Sequence, residues 1–327
     1  MTRQQTIEQI LARLRTGGNI LIASHLSPDG DSIGSQLAIY DLCARLGSRP
    51  MIVNHDPALP KYAFLRKAGL VNHFPRRSEY PAFDTAIILE APDCERIGDV
   101  RRLIRPDCTI INIDHHPGNG QYGQINFVDE SVSAVGILVY DLFQAAKLEP
   151  SRDNADELFT CILTDTGRFR FSSTNPRAMR VCAHMLELGT DTKRISDALF
   201  ASFPENQLRM LGALLSEMEI HHNGGSCLML SNQNLRKQFA PDGDELEGLS
   251  EYLLYPAGVK VGALLREIDG STTKVSFRSQ LGYDVAAVAG LYGGGGHRNA
   301  AGCHLSLPLA EARQRVLTHF GEMLANG

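Results

Sequence analysis

Apolar positions in the first part of the chain follow two periods in turn. Ile7, Ile10, Leu11 and Leu14 recur at three- and four-residue steps, the spacing that keeps one face of a helix apolar. Residues 19–24 (NILIAS) then form an unbroken apolar run of strand length. The pairing repeats: 32–46 reads as a helix, and 51–53, 85–89 (TAIIL) and 109–113 (TIINI) read as strands. A strand that is apolar on both faces has to be covered on both. The alternation therefore predicts an α/β fold whose mostly parallel sheet carries helices on both faces. Further helices are expected at 132–146, 155–163 and 176–188. The last is preceded by Ser-Ser-Thr-Asn and opens on Pro176, a cap followed by a first-turn proline.

Beyond Gly189 the pattern changes to a polar helical stretch through Lys193, Arg194 and Pro204. Shorter strands follow at 227–231, 259–267 and 274–278, and a run of four glycines at 293–296. The expected organisation is a first domain over 1–190, a helical linker over 191–215, and a smaller α/β domain over 216–327 with a cleft between the two domains. A length of 327 residues agrees with two cores better than one.

Charge narrows the partners. Binding of long nucleic acid needs many phosphates neutralised at once, usually by a basic stripe. The net charge is −5 and no such stripe is visible, so a phosphate-bearing substrate is expected to be small. The seven cysteines stand singly, with no CxxC pair, which suits reduced thiols. No apolar run is long enough to cross a bilayer, and the opening residues read as a charged amphipathic helix. A cytoplasmic location is expected.

The candidate chemistry sits where strands end. His25, Asp29 and Asp31 fall within seven residues after the first strand, and Asp114, His115 and His116 follow another. Loops at the carboxyl ends of strands are where open α/β sheets place their sites. Glu90 and Asp93 follow a third strand, and Asp165 stands just before Gly167 at the end of a helix. A histidine followed by Asp-Gly-Asp also suits a capped turn. Adjacent histidines beside an aspartate are costly to bury without partners, and metal ligation is a common reason to gather them.

These motifs resemble the DHH phosphoesterases, named for the triplet found here as Asp114-His115-His116. The glycine run and the following His-Arg-Asn-Ala-Ala-Gly are similar to the signature of the family's DHH-associated C-terminal domain. The length resembles the NrnA-like branch, which degrades very short oligoribonucleotides and dephosphorylates adenosine 3',5'-bisphosphate (pAp). The resemblance implies two divalent cations, manganese first, with magnesium or cobalt as alternatives. It implies His25 and Asp29 on one cation, and Asp31, His115 and Asp165 on the other. The family has an aspartate at the bridging place; Glu90 is the counterpart here, with Asp93 as an alternative restrained by Pro92. Asp114 is implied to orient a histidine and His116 to face the phosphate, the two forming the catalytic pair. Arg278, Ser279, Gly294, Gly295, Gly296, His297 and Arg298 are implied to meet substrate, although His297 also suits a plain turn. Phe171, Tyr283 and Tyr292 flank motif residues and are candidates for base stacking.

The expected partners are short RNA, pAp or dinucleotides, with neither long nucleic acid nor membrane, and a homodimer is left open. Cleavage of cyclic or linear dinucleotides is the main alternative function. Exonuclease action on long single strands, pyrophosphatase action, and a nucleotide-binding regulator with an impaired metal centre rank below it.

Overall fold

The run NILIAS becomes a central strand because both of its faces are apolar. In the computed structural model, which describes residues 2–75, 79–239 and 248–325, Ile20 and Ile22 pack on one side of the sheet and Leu21 and Ala23 on the other. Contacts divide the chain into two units, Met1–Ser202 and Phe203–Gly327.

The first unit runs α1 (Arg3–Leu14), β1 (Asn19–Ser24), α2 (Gly30–Arg45), β2 (Arg49–Asn54), β3 (Val71–His73), β4 (Thr85–Leu89), β5 (Thr109–Asp114), β6 (Ile125–Val128), α3 (Val135–Ala146), α4 (Arg152–Asp165), α5 (Pro176–Glu187) and α6 (Thr192–Phe200). Its sheet has the order β3-β2-β1-β4-β5-β6, and every neighbouring pair is parallel. The chain leaves β1 on one side to form β2 and β3, then returns to place β4 on the other. The gap between β1 and β4 is therefore a topological switch point, where open sheets leave a crevice. Register keeps the carboxyl ends level, since Ser24 pairs with Leu89 and Leu89 with Ile113.

Coverage of the two faces is unequal. The helices α1 to α6 contribute to the core that includes Ile22, Leu89 and Ile113. The opposite face is covered by Phe83 and by the 3-10 segment Cys94–Leu103, through Ile97 and Val100. Below the switch point α2 and α4 almost touch. A Cβ on Gly34 would lie 2.4 Å from the Glu157 carbonyl oxygen and 2.5 Å from Cys161 Sγ.

The second unit contains α7 (Glu205–Ser216), β7 (Glu219–His221), β8 (Ser226–Ser231), α8 (Gln233–Phe239), β9 (Val261–Asp269), β10 (Thr272–Ser279), α9 (Val285–Gly290), β11 (Gly295–His297), β12 (Ala300–Leu305) and α10 (Leu309–Ala325). Its sheet, in the order β11-β12-β10-β9-β8-β7, is antiparallel except between β8 and β9. Along β10 burial alternates, as a strand covered on one face requires. The stretch expected as a connector is shared between the units. Ile195 and Leu199 of α6 join the first core, and Met210, Leu211 and Leu214 of α7 pack in the second unit.

Candidate metal centre

Each acidic residue of the first unit's cluster is positioned by a strand end or a helix terminus. Asp29 caps α2, its carboxylate accepting from Ser32 N at 2.9 Å. His25, just past β1, hydrogen-bonds through Nε2 to Ser32 Oγ at 2.9 Å, and its Nδ1 lies 2.6 Å from the Leu26 carbonyl oxygen. Carbonyl oxygens only accept, so Nδ1 carries the proton and Nε2 is the lone-pair nitrogen.

Asp31 is fully buried. Its two carboxylate oxygens accept from Val135 N at 2.5 Å and Gly136 N at 2.9 Å. These are first-turn amides of α3, whose own cap residue, Ala134, offers no side-chain acceptor. Asp31 thus closes that helix from another element, with its charge at the favourable end of the helix dipole.

Glu90 follows β4 with φ +58°, a left-handed conformation unusual for a residue with a Cβ. That turn carries the side chain into the buried site, where it is 1% exposed. Its Oε1 lies 3.4 Å from His115 Nε2, and Asp165 Oδ2 is also 3.4 Å from that nitrogen. The Val132 carbonyl lies 3.1 Å from His115 Nδ1 and accepts the hydrogen bond there, so Nε2 is the ring nitrogen turned toward two carboxylates. Donors of like polarity facing one another at this distance are the arrangement a cation resolves.

Within the first unit three sets of side chains have ligand atoms within 4.8 Å of one another, His25-Asp29-Glu90, Asp31-Glu90-His115 and Glu90-Asp114-His116. Glu90 belongs to all three. Asp93 instead caps the 3-10 segment, accepting from Glu95 N and Arg96 N at 2.9 and 3.1 Å. Among the described residues Glu90 Oε1 has no hydrogen-bond partner. An orphaned buried carboxylate oxygen common to several overlapping groups of oxygen and imidazole donors fits a pair of divalent cations.

Electrostatics agrees with that fit. Burial raises the pKa of Asp31 and, strongly, those of Glu90 and Asp165, and the neighbouring carboxylates raise the latter two further. Asp114 behaves differently. Burial pushes its carboxyl up, but hydrogen bonds from His116 and Asn119 outweigh burial and hold it below the usual range.

Asp114 accepts from His116 Nδ1 at 2.8 Å and from Asn119 Nδ2 at 2.6 Å. Asn119 is in turn held by Asn112 Nδ2 and Gln121 N, at 2.8 and 2.7 Å. Sequence reasoning missed Asn119; the available signal was a set of polar residues, Asn112, Asn119 and Asn126, in and beside otherwise apolar strands.

In the second unit, Arg278, next to last in β10, lies opposite Ala300, while His297 ends β11 opposite the same residue. Arg298 is exposed beside Asp284, 3.8 Å away. Ser279 donates to the Tyr283 carbonyl at 2.8 Å and accepts from Asn299 at 2.9 Å, so its hydroxyl is committed to the fold. The second half of the glycine run is strand: Gly295 and Gly296 pair with Gly302 and Ala301, and Gly294, just before it, donates its N–H to the Ala289 carbonyl at 3.0 Å. A Cβ on Gly294 would lie 2.2 Å from the Gly302 oxygen, and one on Gly296 would lie 2.5 Å from the Ala300 oxygen. Close strand packing therefore demands these two glycines.

Residues 19–165 match the DHH family N-terminal domain and residues 231–326 match the DHHA1 domain. The chain is 34% identical over 317 residues to a bifunctional oligoribonuclease and PAP phosphatase NrnA of Thermus thermophilus, covering 94% of this chain and 90% of the relative. It is 25% identical to the NrnA of Bacillus subtilis, covering 88% and 89%. Among solved structures, an exopolyphosphatase-related protein from Bacteroides fragilis has the same fold, with a TM-score of 0.91 and 24% identity over 98% of this chain and 96% of that one. With both domain models matched in order around the Asp114-His115-His116 triplet, and with a relative above 30% identity along nearly the whole length, the chain belongs to the DHH family of phosphoesterases, in the group with a DHHA1 domain.

Proposed function

We propose that this protein hydrolyses very short oligoribonucleotides to mononucleotides and converts pAp to AMP. The observation that carries the reading is the buried cluster centred on Glu90, with its orphaned oxygen and surplus of carboxylates. Its support is the full-length likeness to proteins named for these two activities.

His25 and Asp29 would hold one divalent cation, Asp31, His115 and Asp165 a second, and Glu90 both. Bound there, a pair of cations supplies water activation and neutralises phosphoryl charge. Manganese is the cation we favour for hard oxygen ligands mixed with imidazole. The chain's own residues do the rest. Asp114 fixes the Nδ1 side of His116, which sets where Nε2 points. A proton carried at Nε2 then passes to the leaving oxygen as negative charge develops on it. Asn119 keeps the Asp114 carboxylate in line. We assign recognition of substrate phosphate to Arg278, His297 and Arg298, because a guanidinium fork matches phosphate oxygens. The catalytic role thus falls to residues 1–190 and substrate recognition to 216–327, in a cytoplasmic enzyme.

The test is manganese-dependent hydrolysis by the wild type and by the double variant Asp114→Ala, His115→Ala, on a 5'-phosphorylated RNA dinucleotide, a longer RNA, pAp and a cyclic dinucleotide. Mutation-sensitive cleavage of the dinucleotide and pAp, with the longer RNA spared, is the expected result. Preference for the cyclic compound would instead make this a dinucleotide phosphodiesterase, and stoichiometric metal without turnover would make it a regulator.

A further inference from the structure

Three aromatic side chains flank the motifs, and the structure separates them. Tyr283 is 8% exposed and packs in the core with Val285 and Val288. Tyr292 packs against that same core and hydrogen-bonds His319 at 2.7 Å. Phe171 is 51% exposed.

Phe171 is also held at the metal cluster's end of the first unit. Its backbone N–H donates to the Thr166 carbonyl at 2.9 Å, and Thr166 directly follows Asp165. Two residues further on, the Ser173 carbonyl accepts from Ser133 Oγ at 2.5 Å, and Ser133 follows Val132, whose carbonyl orients His115. The segment is therefore tied at both ends to neighbours of two cluster members. Between those ties, Gly167, Arg168 and Phe169 have φ of +55°, +63° and +64°. Non-glycine residues hold that conformation only where surrounding structure enforces it, and such places concentrate at functional sites.

The ring has a defined support. A Cβ on Gly167 would lie 2.4 to 2.6 Å from Cζ, Cε1 and Cε2 of Phe171. Near-equal distances to three ring atoms put that point over the ring's face and not off its edge. Phe171 thus lies with one face on a bare glycine backbone, and half of the residue stays open to solvent. An exposed apolar ring seated on a glycine, six residues beyond Asp165, has the form of a stacking surface. Stacking suits any base because every base has a π-face.

We propose that Phe171 is the platform on which a substrate base stacks, so that the enzyme grips the nucleobase without reading it. The inference rests on the nucleotide-hydrolase reading above and deepens it. The test compares affinities for AMP and ribose 5-phosphate, by titration calorimetry with manganese present, in the wild type, Phe171→Ala, Phe171→Leu and Phe171→Trp, each checked for a native melting profile. The wild type should prefer AMP. That preference should fall about ten-fold in the Ala and Leu variants and persist in the Trp variant. A wild type with no preference, or a preference unchanged in Phe171→Ala and Phe171→Leu, would overturn the assignment. Binding needs no turnover, so failure of the hydrolase reading would appear separately, as absence of product from the RNA dinucleotide and pAp, while the affinity ratio still decides the role of Phe171.

Discussion

At Glu90 burial, charge and backbone conformation conflict. Its carboxylate is buried near Asp29, Asp31, Asp114 and Asp165, in a left-handed backbone, with one oxygen unpartnered among the described residues. Folding alone does not repay that arrangement; a bound cation does. Glu90→Gln removes the charge that both halves of the cluster share, so metal content by atomic emission should fall below two ions per chain while the melting temperature without metal rises or holds. Asn119 presents the opposite case, a neutral residue acting through another. Asn119→Ala should lower kcat about ten-fold or more, with little change in KM, because it disturbs only the residue that aims His116. A matching loss in Asn119→Asp would show that the Asn119 amide donor matters and not merely its volume.

Among the elements, α4 carries both the last residue of the cluster and a buried acid remote from it. Glu157 is 1% exposed. One oxygen accepts from Asn154 Nδ2 at 2.9 Å, the other has no partner among the described residues, and burial pushes its pKa up to about 8. Between the unfolded value near 4.5 and about 8 the folded state holds a proton that the unfolded state has lost. Stability should therefore be fullest at the acid end of that window and fall by about 1.4 kcal/mol per pH unit as pH rises through it. Glu157→Gln should remove that slope, read as a melting-temperature difference that widens from pH 5 to 8. Gly34, where α2 meets α4, is a sharper constraint: Gly34→Ala should cost about 1–3 kcal/mol by overpacking, measured by urea unfolding, and should weaken metal binding because Asp31 shares the helix.

The same scale shows what sequence can carry. β1, β4 and β5 were legible because each is apolar on both faces, and so were the loops after them. β3 and β6 are sheet-edge strands of three and four residues, too short to establish a period. β11 was hidden because glycine gives no side-chain period at all. At Ser279, motif position does not reveal that the hydroxyl also bonds within the fold.

For the whole molecule, the raised pKa values of Asp31, Glu90 and Asp165 make metal loading a proton-releasing event. Their protons must leave before cations take their place, so manganese affinity should climb with pH, and calorimetry in buffers of different ionisation enthalpy should register the protons released. Saturating manganese should also raise the melting temperature, by the equivalent of about 2.7 kcal/mol at a hundred times Kd, and a chelator should reverse the gain. The coupling runs deeper at Asp31, whose carboxylate closes α3 while belonging to the cluster. An Asp31→Ala protein would lose a helix cap together with a ligand, so its inactivity would say little about catalysis. For a clean inactive control in cells or crystals, the choice should fall on His116, whose side chain is not used to close a helix.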